Sequence, residues 1–311
     1  MNTYLVTQAT GRQSQWTIKH LLAAGAKVHA VVRNLEKLPT VLNEANVTVF
    51  KGESTDSEAV FEAAQGCKGA FLNTFPYPPG IEAQQATSIV EACKKAGVET
   101  IVASTTFNTG DKALWDNNVT KEIGLHGYYE SKALVEDVVR GAGFQSYTIL
   151  RPSFIHFDYL LPSVYMNYPT LPIDGTLLHS LDDGVPIAHT DAHDIGKYAA
   201  AALQNPEKFD REEIDLANEF LTPVEVGEIL KKASGKDIQV RKRTGLEMEE
   251  ANDTVGLHKF HAWINTRDLK HGPERTKAVQ AKFGILFTSL ESALQRENTS
   301  LLECLANVKQ G

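Results

Sequence analysis

The chain has 311 residues, of which 42% are hydrophobic and 23% charged, a composition typical of an ordinary globular protein with room for a large domain and a smaller lobe. The formal net charge of −8 argues against a nucleic-acid-binding surface, and no apolar run approaches the ~18–20 residues that cross a membrane. The N-terminus enters a strand at once instead of a signal peptide, and the three cysteines lack C-x-x-C spacing. We therefore expect reduced thiols and a cytoplasmic location.

Strand-like and helix-like segments alternate through the first half of the chain. Apolar runs predict strands at residues 4–8, 28–32, 47–50, 69–74, 99–103 and 146–150. Helical patterns lie between them, at residues 13–24, 36–45, 56–65, 81–96 and 126–142. This alternation predicts an α/β fold in which a doubly wound parallel sheet has helices on both faces.

The pattern changes after Pro152. The stretch from Ser153 to Pro186 is rich in proline and aromatic residues, which suits an irregular substrate lobe. Further on, helices are predicted at residues 193–204, 222–234, 273–283 and 288–306, and strands near 185–189, 212–216 and 237–241. We expect a first domain over residues 1–151 and a smaller α+β substrate-binding lobe over residues 152–311.

The first predicted strand runs into a tight turn at Gly11, which leads directly into a helix. This arrangement is typical of a dinucleotide-binding βαβ unit, where N–H groups at the helix N-terminus face a pyrophosphate. A G-x-x-G-x-x-G spacing requires three glycines, but the chain has Gln8, Gly11 and Ser14. Gln8 brings a side chain into the turn, and Ser14 narrows the room for helix–strand packing. The motif alone is therefore weak.

Arg33 follows the second predicted strand. An NAD site usually offers an acidic residue here to the ribose 2′-hydroxyl, whereas an arginine suits the 2′-phosphate of NADP. Arg12 in the glycine turn and Lys37 could belong to the same cluster. Alternatively, Arg33 and Lys37 are ordinary solvated charges at a strand end. The position of Arg33 favours NADP(H) over NAD(H).

Tyr128 and Lys132 are spaced i and i+4, so they share one face of a predicted helix. An ammonium beside a phenol stabilises the phenolate and makes the tyrosine a better general acid. Thr106 follows the fifth predicted strand, where its hydroxyl could orient a substrate carbonyl. Such a set would protonate an alkoxide while a nicotinamide delivers hydride. The alternative is chance, because Y-x-x-x-K occurs in many helices.

Other residues admit plainer interpretations. Residues 189–194 (HTDAHD) lack zinc-type spacing, and Asp194 is more simply a helix cap, so no metal site is predicted. His258 and His261 could reach a substrate, but we expect them in a surface loop of the second lobe. A string of aromatic residues either walls a pocket for a flat or apolar molecule or forms a core layer: Phe154, Phe157, Tyr159, Tyr165 and Tyr168.

Taken together, these motifs resemble the NmrA-like family of the atypical short-chain dehydrogenase/reductase superfamily. The resemblance runs nearly end to end, and its segments are specific as a set although each is weak singly. They are Ala9-Thr-Gly-Arg-Gln13, Val32-Arg-Asn-Leu-Glu-Lys37, Lys51-Gly-Glu53, Ser131-Lys-Ala-Leu-Val-Glu136, Thr148-Ile-Leu-Arg-Pro152, Asp194-Ile-Gly-Lys197 and Leu221-Thr-Pro-Val-Glu225.

The resemblance implies a Rossmann domain at residues 1–151 that binds NADP(H). It assigns the pyrophosphate to the first-turn residues Thr10, Gly11, Arg12, Gln13 and Ser14. It assigns the 2′-phosphate to Arg33, Arg12 and Lys37, and the surroundings of the adenine to Glu53, where relatives usually have an aspartate. It assigns the nicotinamide side to Thr74, Phe75 and Pro76, and the ribose to Lys132.

Two departures from the family pattern bear on function. Gln8 and Ser14 replace glycines, whereas Tyr128 and Thr106 fill positions of the Tyr–Lys–Ser set whose tyrosine many relatives lack. The first hypothesis is therefore an NADPH-dependent reductase of a small ketone, quinone or conjugated double bond. The second is a non-catalytic NADP(H) redox sensor that regulates a protein partner. The third is a protein that has lost the cofactor and uses its pocket for other chemistry.

Overall fold

A computed structural model describes residues 1–76, 78–267 and 272–311. Strands and helices alternate in the first half, as predicted. The strands are β1 (Thr3–Val6), β2 (Lys27–Val32), β3 (Val47–Lys51), β4 (Gly69–Asn73), β5 (Thr100–Ser104) and β6 (Ser146–Pro152). The helices are α1 (Arg12–Ala23), α2 (Ser57–Ala64), α3 (Ile81–Lys95), α4 (Lys112–Trp115), α5 (Asn118–Ile123) and α6 (His126–Gly141).

The second half contains shorter strands and many helices. The strands are β7 (Phe154–Ile155), β8 (Thr176–His179), β9 (Ile187–Thr190), β10 (Glu212–Leu216), β11 (Glu219–Leu221) and β12 (Gln239–Lys242). The helices are α7 (Val164–Asn167), α8 (Leu171–Asp174), α9 (Ala192–Gln204), α10 (Pro206–Phe209), α11 (Pro223–Ser234), α12 (Gly245–Thr254), α13 (Gly256–Ile264), α14 (Gly272–Phe283), α15 (Leu290–Arg296) and α16 (Asn298–Cys304). Within the described residues, no helix combines the length and the apolar character that a membrane crossing requires.

The helix predicted at residues 36–45 is wrong. This segment contains only a short 3₁₀ helix, Thr40–Asn43, which begins directly after Pro39. Proline disfavours helical geometry in the residue before it and offers no N–H donor. Upstream, the Asn34 side chain accepts a hydrogen bond from the backbone N–H of Glu36 at 2.9 Å, a local turn that competes with helix formation.

The central sheet contains seven strands in the order β10-β6-β5-β4-β1-β2-β3, and every pairing in it is parallel. On one side of β1 lie β2 and then β3, and on the other side lie β4, β5 and β6 in that order. Such a reversal of strand order leaves a crevice at the carboxyl ends of the strands, where open α/β sheets bind ligands. The doubly wound α/β class is confirmed.

The chain divides into two compact units. Unit 1 consists of Met1–Leu114, Gly127–Pro152 and Ala192–Leu216, and unit 2 of Trp115–His126, Ser153–Asp191 and Ala217–Gly311. Residues 192–216 fall in unit 1 because β10 pairs with β6 and α9 packs against α1. The two units are each built from three segments of the chain, so packing does not divide it at one point. The functional boundary at residue 151 stays a prediction.

Close packing in unit 1 depends on Gly196 in α9. A Cβ at this position would lie 2.6 Å from the backbone carbonyl carbon of Trp16 in α1, so a larger residue cannot fit without moving the helices apart. Asp194 lies inside the first turn of α9, which begins at Ala192, and contacts Lys197 Nζ at 3.1 Å. The predicted capping position at Asp194 is therefore wrong by one turn.

Unit 2 contains two small sheets, β11-β9-β7 and β12-β8, beside its helices. The aromatic string of the sequence is split between core and surface. Tyr159 and Tyr168 are fully buried and stack with ring centroids 5.3 Å apart, while Tyr165 is 53% exposed. Tyr159 also lies 2.9 Å from Nε2 of buried His189 through its hydroxyl oxygen. For Tyr159 and Tyr168, the core interpretation holds.

Candidate functional site

The turn between β1 and α1 accommodates the two residues, Gln8 and Ser14, that replace glycines of the dinucleotide-binding motif. Gln8 takes the left-handed conformation, with φ of 49°, where glycine is favoured. Its side chain donates a hydrogen bond to Ser54 Oγ at 3.0 Å. Ser14 is fully buried and donates its hydroxyl hydrogen bond to the Thr7 carbonyl at 2.9 Å. Both replacements are thus accommodated, and Ser14 ties the helix to the end of β1.

The N-terminus of α1 has the features of an anion-binding end. Gly11 is its N-cap, no side chain caps the first turn, and this turn contains no acidic residue. The first backbone N–H groups of a helix lack partners within it and carry partial positive charge, so they suit a pyrophosphate. Thr10 is exposed and Arg12 half-buried beside this end. The residues present therefore fit a dinucleotide phosphate.

Gln13 links this helix to the end of β5. Its Oε1 accepts a hydrogen bond from the Ser104 hydroxyl at 2.7 Å. Asn73, the last residue of β4, accepts through its carbonyl from Thr7 Oγ1 at 3.2 Å. These bonds fix the carboxyl ends of β1, β4 and β5 relative to the start of α1.

The cationic side chains after β2 lie at the surface. Arg33 and Lys37 are exposed, and the Arg33 guanidinium lies 5.5 Å from the centroid of the Phe75 ring, which follows β4. Phe75 is held through its backbone N–H, which donates to Gln85 Oε1 at 2.9 Å. Pro76 is half-buried and Glu53 is exposed. Arg33 and Phe75 are thus brought together.

Tyr128 and Thr106 are in direct contact. The Tyr128 hydroxyl donates a hydrogen bond to Thr106 Oγ1 at 3.1 Å, and both residues are half-buried. Tyr128 lies in the first turn of α6, and Thr106 lies two residues beyond β5. The phenol and the hydroxyl predicted to act on one substrate oxygen therefore meet at the carboxyl end of the sheet.

Lys132 has a partner that the sequence did not reveal. Its Nζ donates to Glu82 Oε1 at 2.6 Å, and the two side chains are only 9% and 2% exposed. Glu82 Oε1 also accepts from the Thr74 hydroxyl at 2.7 Å, and Oε2 accepts from Ser131 Oγ at 2.9 Å. Lys132 Nζ lies 5.7 Å from the centroid of the Tyr128 ring.

Burial and hydrogen bonding act on Glu82 in opposite directions. Burial alone would raise the pKa of this carboxyl, because it penalises the charged form. The Lys132 ammonium and the Lys132, Thr74 and Ser131 hydrogen bonds outweigh that effect and lower the pKa of Glu82 below its ordinary value. Glu82 is therefore ionised at neutral pH and fixes the position of the Lys132 ammonium.

No local pattern pointed to Glu82. It occupies the first turn of α3, 50 residues before Lys132, after a proline-rich loop. An acidic residue in the first turn of a helix is common because it complements the helix dipole. Only the three-dimensional pairing of α3 with α6 reveals its role.

A second buried ion pair anchors the helix that carries Tyr128. Glu136 in α6 accepts from Arg151 Nε at 2.9 Å and from the Thr105 hydroxyl at 2.8 Å. These bonds connect α6 to β6 and to the residue after β5. A Cβ on Gly110 would collide with the Arg151 guanidinium, so a larger residue at this position would displace that guanidinium. The anchor holds α6 against the strand ends.

Comparison with known proteins identifies the family. The model of the NmrA-like family matches residues 1–257. The chain belongs to the NmrA-like family. Over 304 residues it is 24% identical to the NmrA-like family domain-containing oxidoreductase himF of Aspergillus japonicus, covering 90% of this chain and 89% of that protein.

Two solved structures show the same fold. NmrA, a negative transcriptional regulator in complex with NADP, superposes with a TM-score of 0.73 at 19% identity, covering 98% of this chain and 97% of that one. The triphenylmethane reductase of Citrobacter sp., complexed with NADP(H), superposes with a TM-score of 0.71 at 18% identity, covering 94% and 99%. The proteins that this chain resembles in sequence or in fold thus include one described as a regulator and others described as an oxidoreductase or a reductase.

Proposed function

We propose that this NmrA-like protein is an NADP(H)-dependent oxidoreductase that reduces a small ketone, quinone or conjugated double bond. The hydrogen bond between Tyr128 and Thr106 is the observation that carries the proposal. It brings a proton donor and an orienting hydroxyl together at the edge of the sheet where ligands bind. The himF relative, described as an oxidoreductase, and the triphenylmethane reductase support the same activity class.

The cofactor assignment rests on the β1–α1 turn and on Arg33. The uncapped start of α1, with Thr10, Gly11, Arg12, Gln13 and Ser14, would hold the pyrophosphate. Arg33, with Arg12 and Lys37, would hold the 2′-phosphate, and Glu53 would lie near the adenine. Thr74, Phe75 and Pro76 would line the nicotinamide side. Two structural neighbours bind NADP, which supports the same choice here.

The division of labour follows from the contacts of each side chain. When bound, the nicotinamide supplies hydride to the substrate carbon. Tyr128 donates its phenolic proton to the substrate oxygen on which negative charge develops, and Thr106 donates a hydrogen bond to that oxygen. Lys132, held by Glu82, places positive charge near the Tyr128 ring and is available to a ribose hydroxyl. Glu82 acts through Lys132 and is a positioning residue.

A second candidate function is a redox sensor without catalysis. The observation that favours it is the Lys132–Glu82 pair, because an ammonium committed to a carboxylate has less positive charge to spare for the Tyr128 phenol. The NmrA neighbour is described as a negative transcriptional regulator in complex with NADP, which supports a regulatory role as the second candidate. A sensor would bind NADP(H) and recruit a protein partner without turnover.

Replacing Tyr128 by phenylalanine distinguishes the two functions. With a substrate found by screening carbonyls and quinones, Tyr128→Phe should lower kcat by about 10²–10⁴-fold, the usual contribution of a general acid, while NADPH affinity stays unchanged. Tyr129→Phe, the next residue of the same helix, is the matched control and should keep its turnover. Full activity in Tyr128→Phe would remove the proton-donor assignment, and the absence of turnover in the wild type would favour the sensor.

A further inference from the structure

Phe75 is a large apolar side chain that the fold keeps at the surface. Its ring is 42% exposed, two residues beyond the buried end of β4. The Arg33 guanidinium lies 5.5 Å from the centroid of this ring. A single exposed aromatic ring needs no explanation by itself. The way in which the backbone of Phe75 is held, and the position of Arg33 above it, give this ring a role.

Gln85 holds the backbone of Phe75 on both sides of its α-carbon. Gln85 Oε1 accepts from the Phe75 N–H at 2.9 Å, and Gln85 Nε2 donates to the Phe75 carbonyl at 3.3 Å. Gln85 lies in α3 and is 6% exposed. Thr74, one residue earlier, donates to Glu82 in the same helix. The helix α3 therefore fixes the point from which the Phe75 ring projects.

The contact between Arg33 and Phe75 spans the end of β1. Arg33 follows β2 and Phe75 follows β4, and β1 lies between these two strands in the sheet. Strands two positions apart are separated by about 10 Å, so the two side chains reach towards each other across the strand between them. The guanidinium is thereby held beside the β1–α1 turn, where we place the dinucleotide.

The Phe75 ring restrains Arg33 without using its hydrogen-bond donors. Within the described part of the chain, no carboxylate pairs with the Arg33 guanidinium, and none of its N–H groups donates to a protein acceptor. A ring attracts a cation through its negative face, while the N–H donors of a guanidinium lie at the edge of its plane. These donors stay available to a phosphate, whereas a carboxylate partner would occupy them.

We propose that Phe75 is a positioning residue that holds Arg33 for the 2′-phosphate and so contributes to a preference for NADP(H) over NAD(H). This inference rests on the proposed function, because it requires NADP(H) as the ligand. An exposed arginine loses side-chain freedom when it binds a phosphate, and a guanidinium already held on a ring loses less. The family resemblance implies a different place for Phe75, on the nicotinamide side.

Binding measurements on full-chain variants test this role. Phe75→Leu should weaken NADPH binding by about 2- to 5-fold, the value of an exposed cation–π contact, and should leave NADH binding unchanged. The compound 2′,5′-ADP carries the 2′-phosphate but no nicotinamide, and its binding should weaken by the same factor. Phe75→Tyr keeps the ring and should retain the wild-type affinities. Fluorescence titration measures NADPH and NADH, and displacement of NADPH measures 2′,5′-ADP.

Phe61→Leu is the matched control. The Phe61 ring also contacts a cation, with Lys95 Nζ 3.9 Å from its centroid, but neither residue is assigned to the cofactor. This variant should bind all three ligands as the wild type does, and a selective loss of NADPH binding in it would contradict a role specific to Phe75. Gln85→Met releases the Phe75 backbone but keeps the ring. It should show the same selective loss, so the proposal stays testable if Phe75→Leu does not fold.

Three outcomes would overturn the proposal, and they are distinguishable. Equal weakening of NADPH and NADH in Phe75→Leu, with unchanged binding of 2′,5′-ADP, would place the ring beside the nicotinamide. Unchanged binding of all three ligands in Phe75→Leu would remove the role of the ring and leave the NADP(H) assignment intact. A wild type that binds neither NADPH nor 2′,5′-ADP would contradict the NADP(H) assignment itself, and the role of Phe75 would be lost with it.

Discussion

Lys132 and Arg243 are both buried cations, but their surroundings differ. Lys132 has a carboxylate at 2.6 Å, and two hydroxyl groups also donate hydrogen bonds to that carboxylate. Arg243 donates to a single serine hydroxyl near three neutral imidazoles, and Glu247, a carboxylate that acts on it electrostatically, is hydrogen-bonded to Arg241 instead. Lys132 is thus held in place by a buried carboxylate, whereas Arg243 donates to a neutral hydroxyl.

Removing Glu82 would make Lys132 resemble Arg243. Glu82→Ala should lower the free energy of unfolding by about 3–5 kcal/mol, because it leaves a buried ammonium without a partner. The double variant Glu82→Ala/Lys132→Met should recover most of this loss, since it removes both charges. Urea unfolding measures both values. A loss below about 1 kcal/mol in the single variant, as for an exposed pair, would contradict the account.

Buried His189 represents a third case, a titratable group kept neutral. Desolvation and nearby His156 lower its pKa to about 3. At pH 5, His189 is therefore protonated in the unfolded chain and neutral in the folded chain. The free energy of unfolding should therefore decrease as the pH is lowered from about 6.5 towards 3. This residue should contribute a slope of about 1.4 kcal/mol per pH unit. In urea unfolding, His189→Gln should show a slope smaller by that amount. An unchanged slope would contradict the burial argument.

Arg33 provides the contrast of an exposed cation. Arg33→Glu should weaken NADPH binding by about 10- to 100-fold, the value of one or two charge-assisted hydrogen bonds, and should change NADH binding much less. Lys27→Glu reverses an exposed charge at the opposite end of the same strand and serves as the matched control. Fluorescence titration gives the affinities of the wild type and of both variants for NADPH and NADH. Equal weakening of NADPH and NADH would remove the 2′-phosphate assignment.

The smallest change in stability is expected at Arg243. Arg243→Met should leave the free energy of unfolding unchanged or slightly raised, because an unpaired buried charge contributes little to stability. This outcome is the opposite of that expected for Glu82→Ala. A loss above about 2 kcal/mol would mean that the charge of the Arg243 guanidinium is compensated in the folded chain.

Sequence reasoning succeeded where the signal is local. The six strands of the first half and the helix α1 follow from apolar runs and from the turn at Gly11, which depend on neighbouring residues only. It failed at residues 36–45, where the apolar pattern competed with Pro39 and an asparagine turn.

Contacts between distant residues could not be predicted. Glu82 meets Lys132 across 50 positions, and Ser180 meets His258 across 78, so no spacing rule connects them. The Tyr128–Lys132 spacing predicted that both side chains lie on one face of a helix. It did not show that the Glu82 carboxylate binds the Lys132 ammonium. The burial of His258 and His261 was also missed, because the polar residues of the surrounding segment resemble those of a loop.

The most direct test of the account is a titration of the purified protein with NADPH, NADP⁺, NADH and NAD⁺, followed by cofactor fluorescence and thermal stability. A ligand that binds only the folded state raises the apparent stability by RT ln(1 + [L]/Kd), so even weak binding is detected. We expect that NADPH and NADP⁺ bind and that NADPH binds more tightly than NADH. Binding of none of the four would contradict it and would mean that the turn with Gln8 and Ser14 no longer accepts a dinucleotide.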